Sequence, residues 1–395
     1  MQSYQKWIWQ HRAWPALVFD AQAIQSALGQ ARRSQGVLLG KAQAIGLEGL
    51  APHVLDALTQ EALTTSSIEG EKLDPQSVRS SVARRLGLDV YGAPVAEGRR
   101  NIEGLLDVLQ DATQNLGAAL TQERLYSWHA ALFPGGFSGL QRIDVGTLRS
   151  GKMEIVSGAL GHQKVHYEAP PAQSLEPQLA AFVGWFNASH PQSGSAPMDG
   201  LLRAALSHLW FETLHPFDDG NGRIGRAILQ LALGQDMGPP GRIITLSRQI
   251  ESCKGRYYTA LEQSQRAKSM DVTPWMTWML AQIGLAADFA SQTMDAALQR
   301  IQFQASISAF TLNERQQKTL KRLLDAGPKG FVGGMTTRKH QSICQISTPT
   351  AARDLIELEQ LGLLTRQGAG RSTRYYPAMA GWAEDAQSVA SDAEG

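Results

Sequence analysis

Residues 215–226 read HPFDDGNGRIGR, and this stretch decides both the local fold and the chemistry available to the chain. Apolar residues recur at helical spacing on both sides of it, at residues 201–210 and 224–231. Pro216 disfavours the helical conformation for the residue before it, so the first helix should end where the stretch begins. The pattern predicts two buried helices joined by a tight turn, with the second helix beginning at about Gly222.

The start of the second helix has the features of a phosphate site. A helix N-terminus offers unpaired N–H groups and the positive end of the helix dipole. Gly220 and Gly222 have no side chains and allow a phosphate to come close. Arg223 and Arg226 lie three residues apart on one helical face, where both can direct planar donor groups at phosphate oxygens. The stretch therefore predicts binding of a nucleotide di- or triphosphate.

Two further side chains of the stretch fit catalytic roles. His215 has an ordinary pKa near neutrality and can take a proton from an attacking hydroxyl. Asp219 supplies the hard oxygen ligand that Mg²⁺ takes alongside substrate phosphates. A calcium loop beginning at Asp219 is an alternative, but Gln230 stands where that loop needs its terminal acid. A lone His or Arg is usually structural, so the prediction depends on their coincidence around one turn.

The stretch resembles the signature of Fic-domain proteins at all eight of its specified positions. The resemblance implies a protein adenylyltransferase, which transfers AMP from ATP to a Tyr, Thr or Ser hydroxyl of a target protein or of itself and releases pyrophosphate. It also implies an all-α fold, a Fic-type helical bundle with a β-hairpin flap.

The resemblance assigns a role to each residue of the stretch. His215 would be the catalytic base and Phe217 a core anchor beneath the turn. Asp219 would hold Mg²⁺. The implied ATP-binding residues of the stretch are Asp219, Gly220, Asn221, Gly222, Arg223 and Arg226, with Asn221 and the turn amides at the α-phosphate and the two arginines at the β- and γ-phosphates.

An upstream segment, TSSIEG at residues 65–70, resembles the Fic inhibitory motif. Without that resemblance, the glutamate and glycine would be an ordinary helix C-terminus with Gly as the cap. In the family the glutamate pairs with the last arginine of the signature and prevents ATP from binding in a reactive pose. The resemblance therefore predicts an inhibitory helix ending at Glu69, with Glu69 paired to Arg226.

Two short strand-like runs, residues 153–156 and 165–167, are separated by glycines and predict a β-hairpin. It resembles the Fic flap, on which an extended segment of the target protein docks by strand addition. The flap residues predicted to line the site are Ile155, Val156, Ser157 and Gly158. The run from Gly146 to Lys152 nearly forms a P-loop, but Met153 replaces the required Ser or Thr and a strand follows in place of a helix.

Tyr257, Tyr258 and Gln265 lie on an apparent helix downstream of the signature. Aromatic residues at helical spacing usually pack in a core. Other Fic proteins place a tyrosine pair and a polar residue seven positions later around the adenine and ribose, so the resemblance favours a role in binding ATP.

Composition excludes several classes of protein. The formal net charge of the 395 residues is +1, which does not indicate nucleic acid or a membrane surface as a partner. Cys253 and Cys344 cannot form a disulfide framework and belong to no zinc-type cluster. The first 18 residues mix tryptophans with polar residues, unlike a signal peptide, and no apolar run approaches the roughly 18 residues of a membrane span. We expect a soluble, cytoplasmic protein.

Helical patterns dominate from Ala21 to about Arg300, and the Trp-rich beginning resembles a segment that precedes Fic domains in some bacterial proteins. These features predict five segments. They are an N-terminal helical region with the inhibitory helix at 1–95, the Fic catalytic domain at 96–285, a linker helix at 286–310, a winged helix-turn-helix at 311–378 and an acidic tail at 379–395.

The winged helix-turn-helix is predicted from an amphipathic helix at 313–324, a helix capped by Ser347 and running to Leu361, and a hairpin around residues 368–370. A DNA-recognition helix usually carries basic or amide residues near its N-terminus, whereas this one offers only Arg353 among three acids. Binding of a protein is at least as compatible with this helix as binding of DNA. The sequence is also compatible with a homodimer.

Two rival functions remain from the sequence. The same site could remove AMP by hydrolysis, with Glu69 orienting water, or transfer a different nucleotide. A protein of another class, a nucleotide-sensing regulator that binds DNA or protein, would keep the fold without the transfer reaction. The intact histidine and arginines of the signature favour an enzyme.

Overall fold

The computed structural model describes residues 5–88, 100–157, 164–330, 333–380 and 382. It divides into two compact units, Met1–Thr293 and Met294–Gly395. The described part of the first unit is mainly helical, as predicted. Its α-helices are α1 (Ala21–Ile68), α2 (Pro75–Arg85), α3 (Arg100–Gln114), α4 (Gln122–Leu132), α5 (Leu175–Ala188), α6 (Gly200–Leu214), α7 (Asn221–Met237), α8 (Leu246–Ser252), α9 (Lys254–Gln265) and α10 (Thr273–Thr293).

Helix α1 is the longest of the described elements; its two helical segments meet at a kink at Gly46 (φ 76°), and it packs along α10. The side chain of Asp20 caps its first turn by accepting hydrogen bonds from the N–H groups of Gln22 and Ala23. Arg32 fixes its N-terminal part, because its guanidinium lies 2.7 Å from Asp199 before α6 and 2.6 Å from Asp236 in α7. The position of α1 relative to the α6–α7 pair is therefore set by charged groups as well as by the apolar core.

Helices α6 and α7 form the centre of the first unit, and nearly every residue of both is buried. Helix α6 ends at Leu214 and α7 begins at Asn221, so the predicted end of the first helix and start of the second are confirmed within one residue. Phe211 of α6, Phe217 of the turn and Ile228 of α7 are each fully buried. The turn between α6 and α7 therefore stands on a continuous apolar base.

Among the described residues of this unit, two antiparallel hairpins interrupt the helices. The first pairs β1 (Phe137–Ser138) with β2 (Gln141–Arg142), and the second pairs β3 (Glu154–Ser157) with β4 (Lys164–Glu168), with a bulge between Ile155 and Val156. The β3–β4 pair confirms the predicted flap, and it confirms that a strand, not the helix of a P-loop, follows Lys152. Gly158 lies outside the described residues.

The start of the chain supports the base of the flap. Trp7 is 1% exposed and packs edge-on against Tyr167 of β4, with ring centroids 5.2 Å apart. The indole nitrogen of Trp9 donates to the carbonyl of Glu168 at 2.8 Å. The Tyr167 hydroxyl in turn donates to the carbonyl of Thr213, at the end of α6. The tryptophans of the N-terminal segment therefore fix the flap to the helix that precedes the signature.

The second unit has its own apolar core. Its described α-helices and strands are α11 (Asp295–Ile307), α12 (Glu314–Gly330), α13 (Thr337–Cys344), α14 (Thr348–Gln360), β5 (Leu364–Gln367) and β6 (Arg374–Pro377), the last two paired as an antiparallel hairpin. The predicted cap is confirmed, because the Ser347 side chain accepts from the N–H of Thr350 at the start of α14. The helix and hairpin predictions are confirmed, whereas the winged-helix assignment stays a prediction.

Sequence reasoning missed α13. Its buried residue is a histidine, His340, held by Thr319 at 2.6 Å and by Asp354 at 3.1 Å. Asp354 also pairs with Arg315 at 2.9 Å. Since polar contacts fix this helix, its sequence lacks the apolar periodicity that marked the others. Most of the predicted acidic tail, residues 383–395, lies outside the described residues.

The structure bears on two expectations from composition, those about the cysteines and about membrane spans. Cys253 and Cys344 are both free thiols. Within the described ranges, the helices are all too short or too polar to cross a membrane.

Helix α3 approaches α4 closely at Gly104, where a methyl group would lie 1.8 Å from the carbonyl oxygen of Ala131. We expect Gly104→Ala to lower the free energy of unfolding by about 1–3 kcal/mol, because the two helices would have to separate. Gly36→Ala on the exposed face of α1, where a methyl meets nothing within 4 Å, is the matched control and should be neutral or slightly stabilising. Urea denaturation measures both, and equal midpoints for the two variants would contradict the close approach.

Candidate active site

The turn between α6 and α7 is braced from within by Asn221. Its amide oxygen accepts from the N–H of Phe217 at 3.0 Å, and its amide nitrogen donates to the Phe217 carbonyl at 2.8 Å. His215, at φ 47°, and Gly220, at φ 78°, take left-handed conformations that reverse the chain direction. The Asn221 side chain is thus engaged inside the turn, and its contact with an α-phosphate stays a prediction.

Arg149 holds the same turn from outside, and sequence reasoning missed it. Its guanidinium donates to the His215 carbonyl at 2.8 Å, and its backbone N–H donates to the Pro216 carbonyl at 3.0 Å. The residue is only 2% exposed. No local sequence pattern marks such an arginine, because its partner His215 is 66 residues away along the chain.

Phe217 is fully buried beneath the turn, as predicted for a core anchor. Its ring stacks on the imidazole of His129, with centroids 4.3 Å apart. Nδ1 of His129 accepts a hydrogen bond from the N–H of Gly146, so α4 and the chain leading to the flap meet under the signature.

His215 lies at the cavity wall with 16% of its side chain exposed. Burial lowers the pKa of His215 to about 4, against a weaker opposing effect of a hydrogen bond to the Glu212 backbone. The imidazole is therefore neutral at physiological pH. A neutral ring has one nitrogen free to accept a proton, which is the state that a general base requires.

Glu212, three residues before His215, is a cavity residue that sequence reasoning missed. Its Oε2 lies 3.9 Å from Nδ1 of His215, and only 5% of its side chain is exposed. Its Oε1 is buried and has no hydrogen-bond partner among the described residues. Burial raises the pKa of Glu212 to about 8, so this carboxyl is mostly protonated at pH 7. The i, i+3 spacing on α6 is the signal that could have revealed it.

The segment at residues 65–70 ends α1 with a glycine cap. The N–H of Gly70 donates to the Ser67 carbonyl and the N–H of Glu71 to the Ser66 carbonyl, the hydrogen-bond pattern of a Schellman motif. Gly70 has φ 84°, as such a cap requires. This geometry fixes the direction in which the Glu69 side chain leaves the helix.

Glu69 pairs with Arg226, as predicted. Its Oε1 lies 2.8 Å from Nη2 of Arg226, whose Nε donates to Thr65 Oγ1 at 2.7 Å and whose Nη2 also reaches the Thr65 carbonyl at 3.1 Å. Arg226 is only 3% exposed in its side chain. The last turn of α1 thus takes up most of the donors of this guanidinium.

The Glu69 carboxylate also covers the first turn of α7. A methyl group placed on Gly222 would lie 2.3 Å from Oε1 of Glu69. An anion near the N-terminus of a helix is stabilised by the free N–H groups and the helix dipole. The carboxylate therefore lies against the end of α7 that the sequence predicts to bind phosphate.

Arg223 and Gly220 are the two predicted ATP-binding residues that do not line the cavity described below. The guanidinium of Arg223 lies 3.4 Å from Glu71, 4.0 Å from Asp219 and 4.9 Å from the ring of Phe133. Its side chain is 6% exposed. The two arginines of the signature therefore contact the same segment after α1, one through Glu69 and the other through Glu71.

Asp219 is the predicted Mg²⁺ ligand, and its surroundings fit that metal. Its side chain is 40% exposed on the cavity wall. Oδ1 accepts from the N–H of Gly220 at 2.6 Å and Oδ2 from the hydroxyl of Ser138. No cluster of three metal-binding side chains occurs in the parts of the chain that are described. A single accessible carboxylate suits Mg²⁺, which takes its other ligands from substrate phosphates and water.

A cavity of about 540 Å³ joins these groups, within the range of small-molecule sites. It brings together most of the predicted site residues from four different parts of the chain. Those residues are Glu69, Ile155, Val156, Ser157, His215, Asp219, Asn221, Gly222, Arg226, Tyr257, Tyr258 and Gln265. The cavity thus brings together the predicted base, the predicted Mg²⁺ ligand and the predicted flap residues Ile155, Val156 and Ser157.

Tyr257, Tyr258 and Gln265, the three residues predicted to contact the adenine and ribose of ATP, differ in exposure. Tyr257 is 2% exposed, with its hydroxyl 3.0 Å from Nε2 of His208. Tyr258 is 43% exposed. The amide nitrogen of Gln265 donates to the Glu212 carbonyl at 3.2 Å. Tyr258 is therefore the tyrosine whose ring is free to contact a ligand, and Tyr257 supports it from the core.

Comparison with protein families gives two matches. The Fic/DOC family model matches residues 119–233, which include the signature. A second model, described as a domain of unknown function (DUF4172), matches residues 7–88, which include Glu69.

Three curated relatives are similar over part of the chain. The Xanthomonas campestris uridine 5'-monophosphate transferase is 33% identical over 125 residues, which are 31% of this chain and 23% of that protein. Protein adenylyltransferase fic-1 of Caenorhabditis briggsae is 40% identical over 70 residues, 18% of this chain and 13% of that protein. Protein adenylyltransferase Fic of Nematostella vectensis is 29% identical over 152 residues, 38% of this chain and 30% of that protein. The chain spans less than a third of each.

Two solved structures share the fold. A Fic family protein from Desulfovibrio desulfuricans superimposes with a TM-score of 0.54 at 20% identity, covering 88% of this chain and 95% of that one. A Fic domain containing signaling protein from Bacteroides thetaiotaomicron gives a TM-score of 0.50 at 15% identity, covering 68% and 97%. The predicted Fic-type helical architecture is confirmed.

The buried position of His215 predicts its titration. Because its pKa is lowered to about 4, the ring should stay neutral as the pH falls from 8 to about 5 and become protonated only near pH 4. Below that pH it can no longer accept a proton. Nitrogen-15 NMR of the imidazole, with His215→Gln to assign the signal, measures the midpoint. A midpoint near the ordinary value of about 6.5 would contradict the buried, neutral state.

Proposed function

Because this chain contains a Fic/DOC domain, we propose that it is a nucleotidyltransferase that transfers AMP from ATP to a hydroxyl side chain of a protein. The observation that carries the proposal is the cavity in which a neutral histidine, an accessible aspartate and the N-terminus of α7 meet. A base, a metal ligand and an anion site are the groups that attack on a phosphate requires.

In the proposed reaction, His215 takes the proton of the attacking hydroxyl. The hydroxyl oxygen forms a bond to the α-phosphorus of ATP, the bond between the α-phosphorus and the bridging oxygen breaks, and pyrophosphate leaves. The free N–H groups at the start of α7 stabilise the phosphate charge. Mg²⁺ held by Asp219 would neutralise charge on the phosphates. Arg149 and Asn221 keep the turn in place while these contacts form.

The choice of nucleotide is part of the proposal. Two of the relatives are named adenylyltransferases, whereas the relative from Xanthomonas is named a uridine 5'-monophosphate transferase. Tyr258 offers an aromatic face on the cavity, which stacks on any base. Incubation with ATP, CTP, GTP and UTP, each labelled on the α-phosphate, should give protein-linked label from ATP. Labelling from UTP alone would overturn the adenylyl assignment.

We further propose that Glu69 holds the enzyme in an inhibited state. Its carboxylate lies at the start of α7 and pairs with Arg226, so a triphosphate cannot use that guanidinium while the pair is intact. Hydrolytic removal of AMP, with Glu69 orienting water, is the rival reaction at the same site.

His215→Ala should abolish transfer to other proteins while leaving ATP binding largely intact, because phosphate contacts come from the N–H groups of the turn and not from the imidazole. Loss of a general base typically lowers the rate about 10²–10⁴-fold. The measurement uses labelled ATP and a cell extract, counting label only in gel bands other than the enzyme's own, with calorimetry for ATP binding. Labelling of those bands at the unmutated rate would remove His215 from the mechanism.

Glu69→Gly should raise transfer roughly ten- to a hundredfold, because a charge-assisted pair of this kind contributes on the order of 1.5–3 kcal/mol. Arg226→Ala should show no such gain, since it loses a phosphate contact together with the inhibitory one. Glu71→Gln is the matched control, because Glu71 is half exposed and contacts Arg223 at 3.4 Å. Glu71→Gln should raise the rate of transfer less than Glu69→Gly does.

The Glu69→Gly variant also distinguishes transfer of AMP from hydrolytic removal of AMP. If Glu69→Gly is no more active in transfer than the unmutated protein and loses the ability to release AMP from a modified protein, the inhibitory role is wrong and removal of AMP is the reaction.

A further inference from the structure

Three polar side chains form a connected chain on the cavity wall, away from the signature in sequence. Ser157 at the end of β3 lies with its hydroxyl 2.6 Å from Nε2 of His166 on β4. Nδ1 of His166 lies 3.1 Å from Oε2 of Glu262 on α9. All three residues line the same cavity as His215. A hydroxyl, an imidazole and a carboxylate in this order form the arrangement that activates a serine nucleophile.

The direction of each hydrogen bond follows from the chemistry of the groups. Although burial alone would raise it, hydrogen bonds from His166 and Arg266 hold the pKa of Glu262 below its ordinary value, so Glu262 is ionised and can only accept. Nδ1 of His166 therefore donates to Glu262. In a neutral ring Nε2 is then the acceptor, and the Ser157 hydroxyl donates to it. His166 is thus oriented to take the proton of Ser157.

Comparison with the other cavity hydroxyls singles out Ser157. Of the cavity-lining residues that the structure describes, Ser157, Tyr167, Tyr257 and Tyr258 carry hydroxyls. Tyr167 is buried and donates to a backbone carbonyl, and Tyr257 is buried against His208. Tyr258 is accessible, but burial of its phenol raises the pKa to about 12 and no hydrogen bond to a base is found for it within the described ranges. Ser157 is exposed and paired with an oriented base.

We propose that Ser157 is a site of self-modification, at which its hydroxyl, activated by His166 and Glu262, accepts the nucleoside monophosphate from a nucleoside triphosphate bound in the cavity. This inference rests on the proposed nucleotidyl transfer. It adds a second acceptor and a second base to the site, because the proton of Ser157 passes to His166 rather than to His215.

The step balances as an ordinary phosphoryl substitution. Oγ of Ser157 forms a bond to the α-phosphorus, and the bond from that phosphorus to the bridging oxygen breaks. Pyrophosphate carries away the electron pair, and the proton of Ser157 moves to Nε2 of His166. The resulting imidazolium is stabilised by the carboxylate of Glu262, 3.1 Å from Nδ1. The product is a phosphodiester between Ser157 and the nucleoside.

The experiment uses the full chain carrying Glu69→Gly, incubated with ATP labelled on the α-phosphate, and locates the label by peptide mass spectrometry. We expect label on Ser157. Adding His166→Gln should lower the rate of Ser157 labelling about 10²–10⁴-fold, as for loss of a general base. Adding His215→Ala should leave Ser157 labelled while it abolishes labelling of other proteins. Ser252 is an exposed serine outside the cavity, so Ser252→Ala is the matched control. It should change neither the labelling of Ser157 nor the labelling of other proteins.

The outcomes separate this inference from the proposed function. Label on Tyr258 or elsewhere, with none on Ser157, overturns self-modification and leaves nucleotidyl transfer standing. Ser157 labelling that survives His166→Gln, or that disappears with His215→Ala, overturns the role of His166 as its base. Absence of protein-linked label with all four nucleoside triphosphates overturns both proposals.

Discussion

The tight turn between α6 and α7 is the constraint on which the site depends. It requires a left-handed backbone at His215, a non-glycine residue, and such a conformation persists only where the surroundings impose it. Here Asn221 closes the turn from inside, Arg149 binds its carbonyls from outside and Phe217 fixes it to the core. Each of these groups is buried, so the turn does not depend on a bound ligand for its shape. The N–H groups at the start of α7 are in place before any phosphate arrives, which is the condition for electrostatic catalysis without reorganisation.

Burial also decides the charge states around the turn. His208 and His215 have pKa values lowered to about 4, and that of Glu212 is raised to about 8, all chiefly because the charged forms are poorly solvated there. At pH 7 these groups are predominantly neutral, while Arg226 keeps its charge beside Glu69. The strongest fixed charges facing the cavity from α7 and α1 are therefore a single ion pair. At Arg226 an anionic ligand competes with the carboxylate of Glu69, which makes the occupancy of Arg226 sensitive to that one residue.

The sequence was most informative where function and fold coincide in consecutive residues. The end of α6, the start of α7, the β3–β4 hairpin and the glycine cap after Glu69 were all predictable, because Pro restricts the backbone locally and Gly permits the turns and left-handed caps that other residues avoid. Arg149, Glu212 and the Ser157–His166–Glu262 chain were not, since their roles arise from contacts between distant segments. Helix α13 was missed for a related reason: its buried residue, His340, is fixed by polar partners, and hydrophobic periodicity cannot reveal it. Local rules predicted the framework, whereas side chains that meet only after folding required the structure.

The position of Glu69 at the very end of α1 limits what must move to expose Arg226. The contacts to this arginine from α1 come from Thr65 and Glu69, which lie within about one helical turn of each other. The rest of α1 is held separately, by its packing along α10 and, in the segment before Gly46, by Arg32 between Asp199 and Asp236. Loss of one terminal turn would therefore free the guanidinium without displacing the rest of the helix. Thr65, Ser66 and Ile68 of this turn are buried, so opening it exposes packed surface and costs free energy. Under the proposed inhibition, the brake on transfer is then a local equilibrium at a helix terminus, which a competing phosphate can shift by binding Arg226 when that turn is open.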